Sequence, residues 1–384
     1  MNILILSPYL PAIDTTACAR EIYERVSLLR QKGCSVYLLS FCAKEDRERI
    51  NAIRPHCAGF CLEYISDYSR YPAKAGLFKG KINSLCKKGN IDILQCEKAY
   101  MSRYIPRDNK VVSILIEHEI LSISFLERAK LETNLINKLI LFVRTIKKRF
   151  EEKKWYRRFN KIIVFSENDK DVIRGLYNLK NIEVIPLGIN LRNYPPRQSE
   201  EKYYDIIFVG NFSHFPNVDA VSYFHNSILP LLKKRLPNIT VVLAGSNPPG
   251  WIRELAKSDR NILVTGYVKD ILEIYSKSKV FIAPIRCGGG MSFKILEALA
   301  LSMPVVATSV GARGIAAGNI VKIADTKEEF ADTVIDLLNH PSKHEELSEN
   351  GRRTVEKYYS WDRILPRYEN IYSNESDIHN FSYL

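Results

Sequence analysis

Short apolar runs alternate along this chain with longer stretches of helical spacing, and that alternation limits the fold more than any other feature. NILILS (2–7), SVYLLSF (35–41), FCLEYI (60–65), DILQCE (92–97), VVSILI (111–116), KIIVFS (161–166) and IEVIPL (182–187) form a first series. Their continuous apolar character suits strands covered on both faces, as in parallel sheets, and parallel strands need right-handed crossovers. After the polar, proline-bearing NLRNYPPRQSEEKYY (190–204) the pattern restarts with DIIFVG, then TVVLAG (240–245), ILVTGY (262–267), VFIAPI (280–285), PVVATS (304–309) and NIVKI (319–323). The expected fold class is α/β, with two Rossmann-like, doubly wound parallel-sheet domains facing across a cleft, at 1–190 and 191–361. A chain of 384 residues is long enough to bury two cores.

Composition narrows the function classes. With 46% hydrophobic and 26% charged residues the chain reads as globular and ordered. It holds no long uncharged apolar run, and MNILILSPYL reads as a buried first strand rather than a leader. The eight cysteines, at 18, 34, 42, 57, 61, 86, 96 and 287, read as reduced thiols of a cytoplasmic protein. His56, Cys57 and Cys61 come nearest to a ligand cluster, but their spacing fits no zinc pattern, so no metal is expected. A net charge of +13 asks for an anionic partner. Residues 138–161 concentrate the charge on what reads as one basic amphipathic helix, whose stripe of Leu139, Phe142, Val143, Ile146, Phe150, Trp155 and Phe159 suits either a core face or an anionic membrane surface at the inner leaflet. No zinc-finger or RNP signature points to nucleic acid.

The stretch CGGGMSFKILEALA carries the chemistry. Arg286, Gly288, Gly289 and Gly290 connect an apolar strand to a helix starting near Ser292. Glycines let backbone approach a ligand, and the first amides of a helix, with its dipole, favour an anion such as a phosphate. Lys294 in the first turn needs an anion to offset the dipole, and Arg286 stands at the other lip of the loop. Glu297, three residues on, can accept two hydroxyl protons, as a ribose offers. Together they make half of a nucleoside-diphosphate site, although a flexible turn beside a surface ion pair would use the same residue types.

These residues, with FVGNFSHFPNVDAV upstream, IPLGIN at the linker and Ser360–Trp361 near the end, resemble the retaining glycosyltransferases of the GT-B fold, family 4, in the polysaccharide-building branch with a GGG-x-x-x-K-x-x-E pattern. The resemblance implies GT-B architecture, with a C-terminal helix at 362–384 returning to the first domain. It implies a donor site of Gly288, Gly289, Gly290, Met291 and Glu297 with Asn211, Tyr267 and Val268, and catalytic roles for His118, Arg286 and Lys294. Thr15, Thr16, Arg20 and Glu117 fall on its acceptor or diphosphate segment. The family's E-x7-E pair keeps its second member as Glu297, while Gly289 replaces the first. Asn211, His214 and Asn217 stand where the wider family has basic diphosphate ligands.

The implied reaction moves a sugar from a nucleotide-diphosphate sugar to an acceptor hydroxyl with retention, in bacterial surface polysaccharide or glycolipid synthesis. Charge stabilisation of the departing diphosphate is the main catalytic device. The nucleotide sugar is substrate, no further cofactor or divalent ion is expected, and the acceptor is a carbohydrate or lipid-linked. A catalytically inactive GT-B partner protein and a GT-B sugar epimerase are the alternatives, and the expected state is a monomer or weak dimer.

Overall fold

The computed structural model describes residues 1–65, 75–88, 91–196, 202–315 and 318–381. The chain divides into two compact units, Met1–Gly188 with Trp361–Leu384, and Ile189–Ser360. The polar stretch at 190–204 lies in the second unit, and its residues 197–201 fall outside the described ones.

The first unit holds strands β1 (Asn2–Ser7), β2 (Ser35–Cys42), β3 (Gly59–Tyr64), β4 (Ile93–Glu97), β5 (Val112–Glu117), β6 (Lys161–Val164) and β7 (Ile182–Val184). They form one sheet in the order β3-β2-β1-β4-β5-β6-β7, with every pairing parallel. Ile3, Leu4, Ile5 and Leu6 are wholly buried, as strands covered on both faces must be. Helices α1 (Ala17–Gln31), α2 (Arg47–Ile53), α3 (Ala75–Lys88), α4 (Leu121–Leu131), α5 (Leu135–Tyr156) and α6 (Glu167–Tyr177) link the strands. Their ends follow local chemistry. Thr16 caps α1 by accepting from the Ala19 amide at 3.2 Å, and Gly33 at φ 86° turns the chain away after it. The basic helix starts three residues earlier than its charge pattern suggested, because Asn134 accepts from the amides of Ile136 and Asn137. It ends at Tyr156, and Lys161 already lies in β6.

The second unit has the same plan. Its strands β8 (Tyr204–Val209), β9 (Val241–Ala244), β10 (Ile262–Gly266), β11 (Ser278–Ala283), β12 (Val305–Ala307) and β13 (Lys322–Ile323) run parallel in the order β10-β9-β8-β11-β12-β13. Its helices are α7 (Phe215–Tyr223), α8 (Leu229–Arg235), α9 (Gly250–Ser258), α10 (Ile271–Ser276), α11 (Phe293–Ala300), α12 (Lys327–Asn339) and α13 (Pro341–Tyr358). The run NIVKI supplies only a two-residue strand. Ile320 and Val321 are buried ahead of it, so its apolar signal comes from packing rather than pairing.

The last helix, α14 (Trp361–Phe381), belongs to the first unit. The Trp361 indole N–H donates to Glu24 of α1 at 2.6 Å, and Tyr372 donates to Gln95 of β4. In both sheets the strand order reverses beside the first strand, between β1 and β4 and between β8 and β11. Connections leave these neighbours in opposite directions, and a crevice opens at their carboxyl ends.

Gly188 sits against the Trp361 ring so closely that a Cβ would lie 2.6–2.7 Å from three ring carbons. Gly188→Ala is expected to cost about 1–3 kcal/mol, measured by urea unfolding. Combined with Trp361→Leu, the two losses should fall well short of their sum, because the clash is between these two groups.

Candidate functional site

In the second unit the glycine loop follows β11 at the reversal of strand order, and the loop after β8 is its neighbour. Gly288 and Gly290 take φ 130° and 78°, values that side-chain-bearing residues avoid, so the loop depends on glycine. The loops after β8 and β9 also touch: a Cβ on Gly245 would fall 1.8 Å from the Gly210 carbonyl oxygen. Gly245 donates in turn to the Gly266 carbonyl at 3.1 Å, beside the exposed Tyr267 and the half-buried Val268. The strand ends thus present one continuous rim of small residues.

Lys294 and Arg286 have different surroundings. Arg286 makes a forked pair with Asp219, at 2.6 and 3.0 Å, and lies over the Tyr223 ring. Lys294 has an amide partner instead, donating to Asn217, and its ammonium lies 4.7 Å from the centre of the Phe208 ring. Although the residue retains some exposed surface, protein atoms surround its charged end. Burial pushes the ammonium down to about 7, against the pull of Glu297. Glu297 accepts from the Tyr194 hydroxyl at 2.7 Å, which orients the carboxylate. Arg313 donates to the Gly288 carbonyl at 3.0 Å, placing a third cation at the loop. Gly289 and Gly290 are half-buried and Met291 is buried.

The Asn211 carbonyl accepts from the Asn217 amide group at 2.7 Å and its side chain accepts from the Ser213 amide at 2.9 Å, so Asn211, Asn217 and Lys294 form one chain of contacts. His214 is exposed and precedes α7. Tyr194, Asp219 and Arg313 were missed in the sequence. Arg313 stands in the turn GARG (311–314), and its cation was the available signal.

In the first unit His118 follows β5, beside the reversal between β1 and β4. It is buried, and its Nε2 meets the Glu97 carboxylate at 2.8 Å. The other Glu97 oxygen accepts from Arg25 and from Gln95, both at 2.6 Å, and Arg25 also pairs with Glu21 at 3.2 Å. All three charged groups, Arg25, Glu21 and Glu97, are wholly buried. The network fixes the ring with Nε2 toward Glu97, leaving Nδ1 without a hydrogen bond of ordinary geometry. Burial alone would lower the His118 pKa, but the Cys18 thiol and Glu97 carboxylate raise it. Burial would likewise raise Cys18, and His118 and Lys98 bring it down. Cys18 is also the second residue of α1, where unpaired amides favour a thiolate.

Three carboxyls and a lysine lie beside this cluster. Glu117 is pushed up to about 8 by burial, with Glu152 adding to the shift. It accepts from the Ala99 amide at 3.2 Å and lines a small pocket with Lys98, Tyr100, Glu119, Glu152 and Trp155. Lys98 holds φ 69° and ψ 133°, a strained backbone for a residue with a side chain, directly after β4. Thr15, Thr16 and Arg20 are tied to their own loop. Thr15 donates to the Ala12 carbonyl at 3.5 Å, Thr16 is the α1 cap, and Arg20 donates to the Ile13 carbonyl at 2.8 Å.

His56, Cys57 and Cys61 form no ligand group among the described residues. His56 meets the Tyr23 hydroxyl, and the Cys57 thiol faces the Ile53 carbonyl. Glu21, Glu97 and His118 do bring donor atoms within 4.8 Å of one another. The Arg25 guanidinium already supplies the positive charge among them, which is a poor setting for a cation.

Comparison with known proteins gives the class. A sucrose-phosphate synthase from Thermosynechococcus elongatus superposes with a TM-score of 0.73 at 16% identity, covering 97% of this chain and 98% of that one. Anabaena HepE in complex with UDP superposes at 0.67 and 13% identity, covering 97% and 100%. The chain therefore has the GT-B fold. Residues 203–340 match the family model of Glycosyl transferases group 1, so the second unit carries that family's domain. A 44.6 kDa protein of the cps region of Klebsiella pneumoniae is 23% identical over 95% of this chain and 98% of its own length. The capsular polysaccharide biosynthesis glycosyltransferase CapM of Staphylococcus aureus is 32% identical over 29% of this chain and 30% of its own.

Replacing Arg25 by methionine would leave Glu21 buried without a counter-charge and Glu97 with His118 alone. The expected loss is about 3–5 kcal/mol at pH 7.5, shrinking at pH 5 as the carboxyls protonate, in urea titrations at the two pH values. Cys18 should react with iodoacetamide below pH 7, ahead of the other cysteines by peptide mass mapping. With His118→Gln, that reaction should move up toward the ordinary thiol range.

Proposed function

We propose that this protein transfers a sugar from a nucleotide-diphosphate donor to an acceptor hydroxyl, with retention at the anomeric carbon, in surface polysaccharide or glycolipid synthesis. One observation carries the reading. A glycine loop in backbone conformations that need glycine, a lysine without a carboxylate hydrogen-bond partner in hand, and an oriented glutamate meet at the start of α11. The cps-region and capsular relatives support the polysaccharide setting.

The diphosphate would lie against the loop amides and the start of α11, with Lys294 and Arg286 facing it. Asp219 holds the Arg286 fork in place, which limits the reorganisation needed when charge develops. Glu297, steadied by Tyr194, would accept from the ribose hydroxyls. In the reaction the bond from the anomeric carbon to the β-phosphate oxygen breaks, and its electron pair stays on that oxygen. The acceptor oxygen bonds to the same face of the carbon, and its proton passes to the departing phosphate. His118, held through Nε2 by Glu97, is the group that the family resemblance assigns to the donor sugar. Glu117, which lines the small pocket with Lys98 and Trp155, would meet an acceptor hydroxyl.

Lys294 supplies a pH signature. Burial lowers its pKa to about 7, and a diphosphate favours the charged form, so binding above pH 7 is expected to take up protons. Affinity should therefore fall as pH rises through 7 to 9. UDP and UDP-sugars are the first probes, since UDP occupies the HepE structure. Calorimetry at pH 8 in buffers of different ionisation enthalpy should show proton uptake, absent in Lys294→Met. Lys294→Met and Glu297→Ala should each weaken binding about ten- to hundredfold. If no nucleotide diphosphate binds the wild type, the loop is structural and the proposal fails.

A further inference from the structure

Helix α5 has two apolar faces on opposite sides. Leu141, Thr145, Glu152, Trp155 and Tyr156 are buried, and at about 100° per residue they share one side of the helix. Leu135, Ile136, Leu139, Val143, Ile146 and Phe150 occupy an arc of about 100° on the other side. These six are exposed, by 79% at Leu135, 71% at Ile136 and 73% at Phe150. Of the stripe expected from the sequence, only Trp155 and Phe159 reach the core. The remainder is a continuous apolar band of four turns facing solvent, where single exposed apolar residues are the norm and bands are not.

Charge identifies the occupant. Lys147 borders the band, and Lys153, Lys154 and Arg157 continue its line through the end of the helix, all of them exposed. Arg144 is exposed on the flank, and the nearby acid Glu151 is paired with Lys148 at 2.6 Å. A second copy of this chain would suit such a surface poorly. Antiparallel pairing sets the basic end against leucine and isoleucine, and parallel pairing sets cations against cations. An anionic bilayer surface satisfies both parts, with acyl chains for the band and headgroup phosphates for the cations.

We propose that the solvent-facing side of α5 is a membrane-docking surface that inserts Leu135 to Phe150 into the interface of an anionic leaflet and seats Lys147, Lys153, Lys154 and Arg157 among its headgroups. The inference is independent of the donor site. No helix among the described residues is long and apolar enough to cross a membrane, so attachment through α5 is interfacial.

The test is co-sedimentation of the full chain with vesicles of 30% phosphatidylglycerol in phosphatidylcholine and with vesicles of phosphatidylcholine alone. The wild type should bind the anionic vesicles at least tenfold more tightly. Neutralising Lys153, Lys154 and Arg157 to glutamine should weaken binding about fivefold per cation, about a hundredfold together. Leu139→Gln, Val143→Gln and Ile146→Gln together should abolish it with the cations intact, at unchanged melting temperature. Equal binding to both vesicles, or binding that survives the three apolar substitutions, would overturn the proposal. So would failure to bind, including the case where light scattering finds a dimer that the apolar triple variant splits.

Discussion

Arg25 is the group on which the first unit is organised. Its guanidinium is wholly buried, yet it meets Glu21 on its own helix, Glu97 at the end of β4 and, through its face, the ring of Tyr368 at 4.9 Å. One side chain thus joins the first helix, a central strand and the last helix. Burying this many charges costs heavily unless each has its partners. The partners are therefore fixed, and Glu97 has no freedom left except to hold His118. The stiffness of the histidine follows from a charge that cannot afford to move.

The second unit handles its buried cation differently. Arg286 has a carboxylate fork, whereas Lys294 has the neutral Asn217 and the face of Phe208. An ammonium in that setting is stabilised by whatever anion arrives next to it. The two units thus pair an arginine held among buried carboxylates with a lysine held by a neutral amide, each at the strand ends where its sheet order reverses.

Much of the architecture was legible because continuous apolar runs report strands covered on both sides, and the runs of this chain are long enough to count. The place of the glycine loop was legible too, since three glycines between an apolar run and a helical pattern mark a strand-to-helix turn. The rest was hidden for physical reasons. Glu97 ends a strand, where an acid ordinarily meets water, and only its distance from Arg25 makes it central. Cys18 resembles a small apolar filler until the fold brings it to His118. The outward band of α5 has the period of a core stripe, and no pattern within one helix can say which of two apolar sides meets the protein.

The placement of α14 has a consequence for synthesis. Tyr368 and Tyr372, which close over Arg25 and Gln95, leave the ribosome only after the whole second unit. The second unit is continuous in sequence and can complete its sheet while the chain is still growing. The first must wait with a buried ion network open on one side, a half-built state that exposes its most demanding polar groups for the length of one inserted unit.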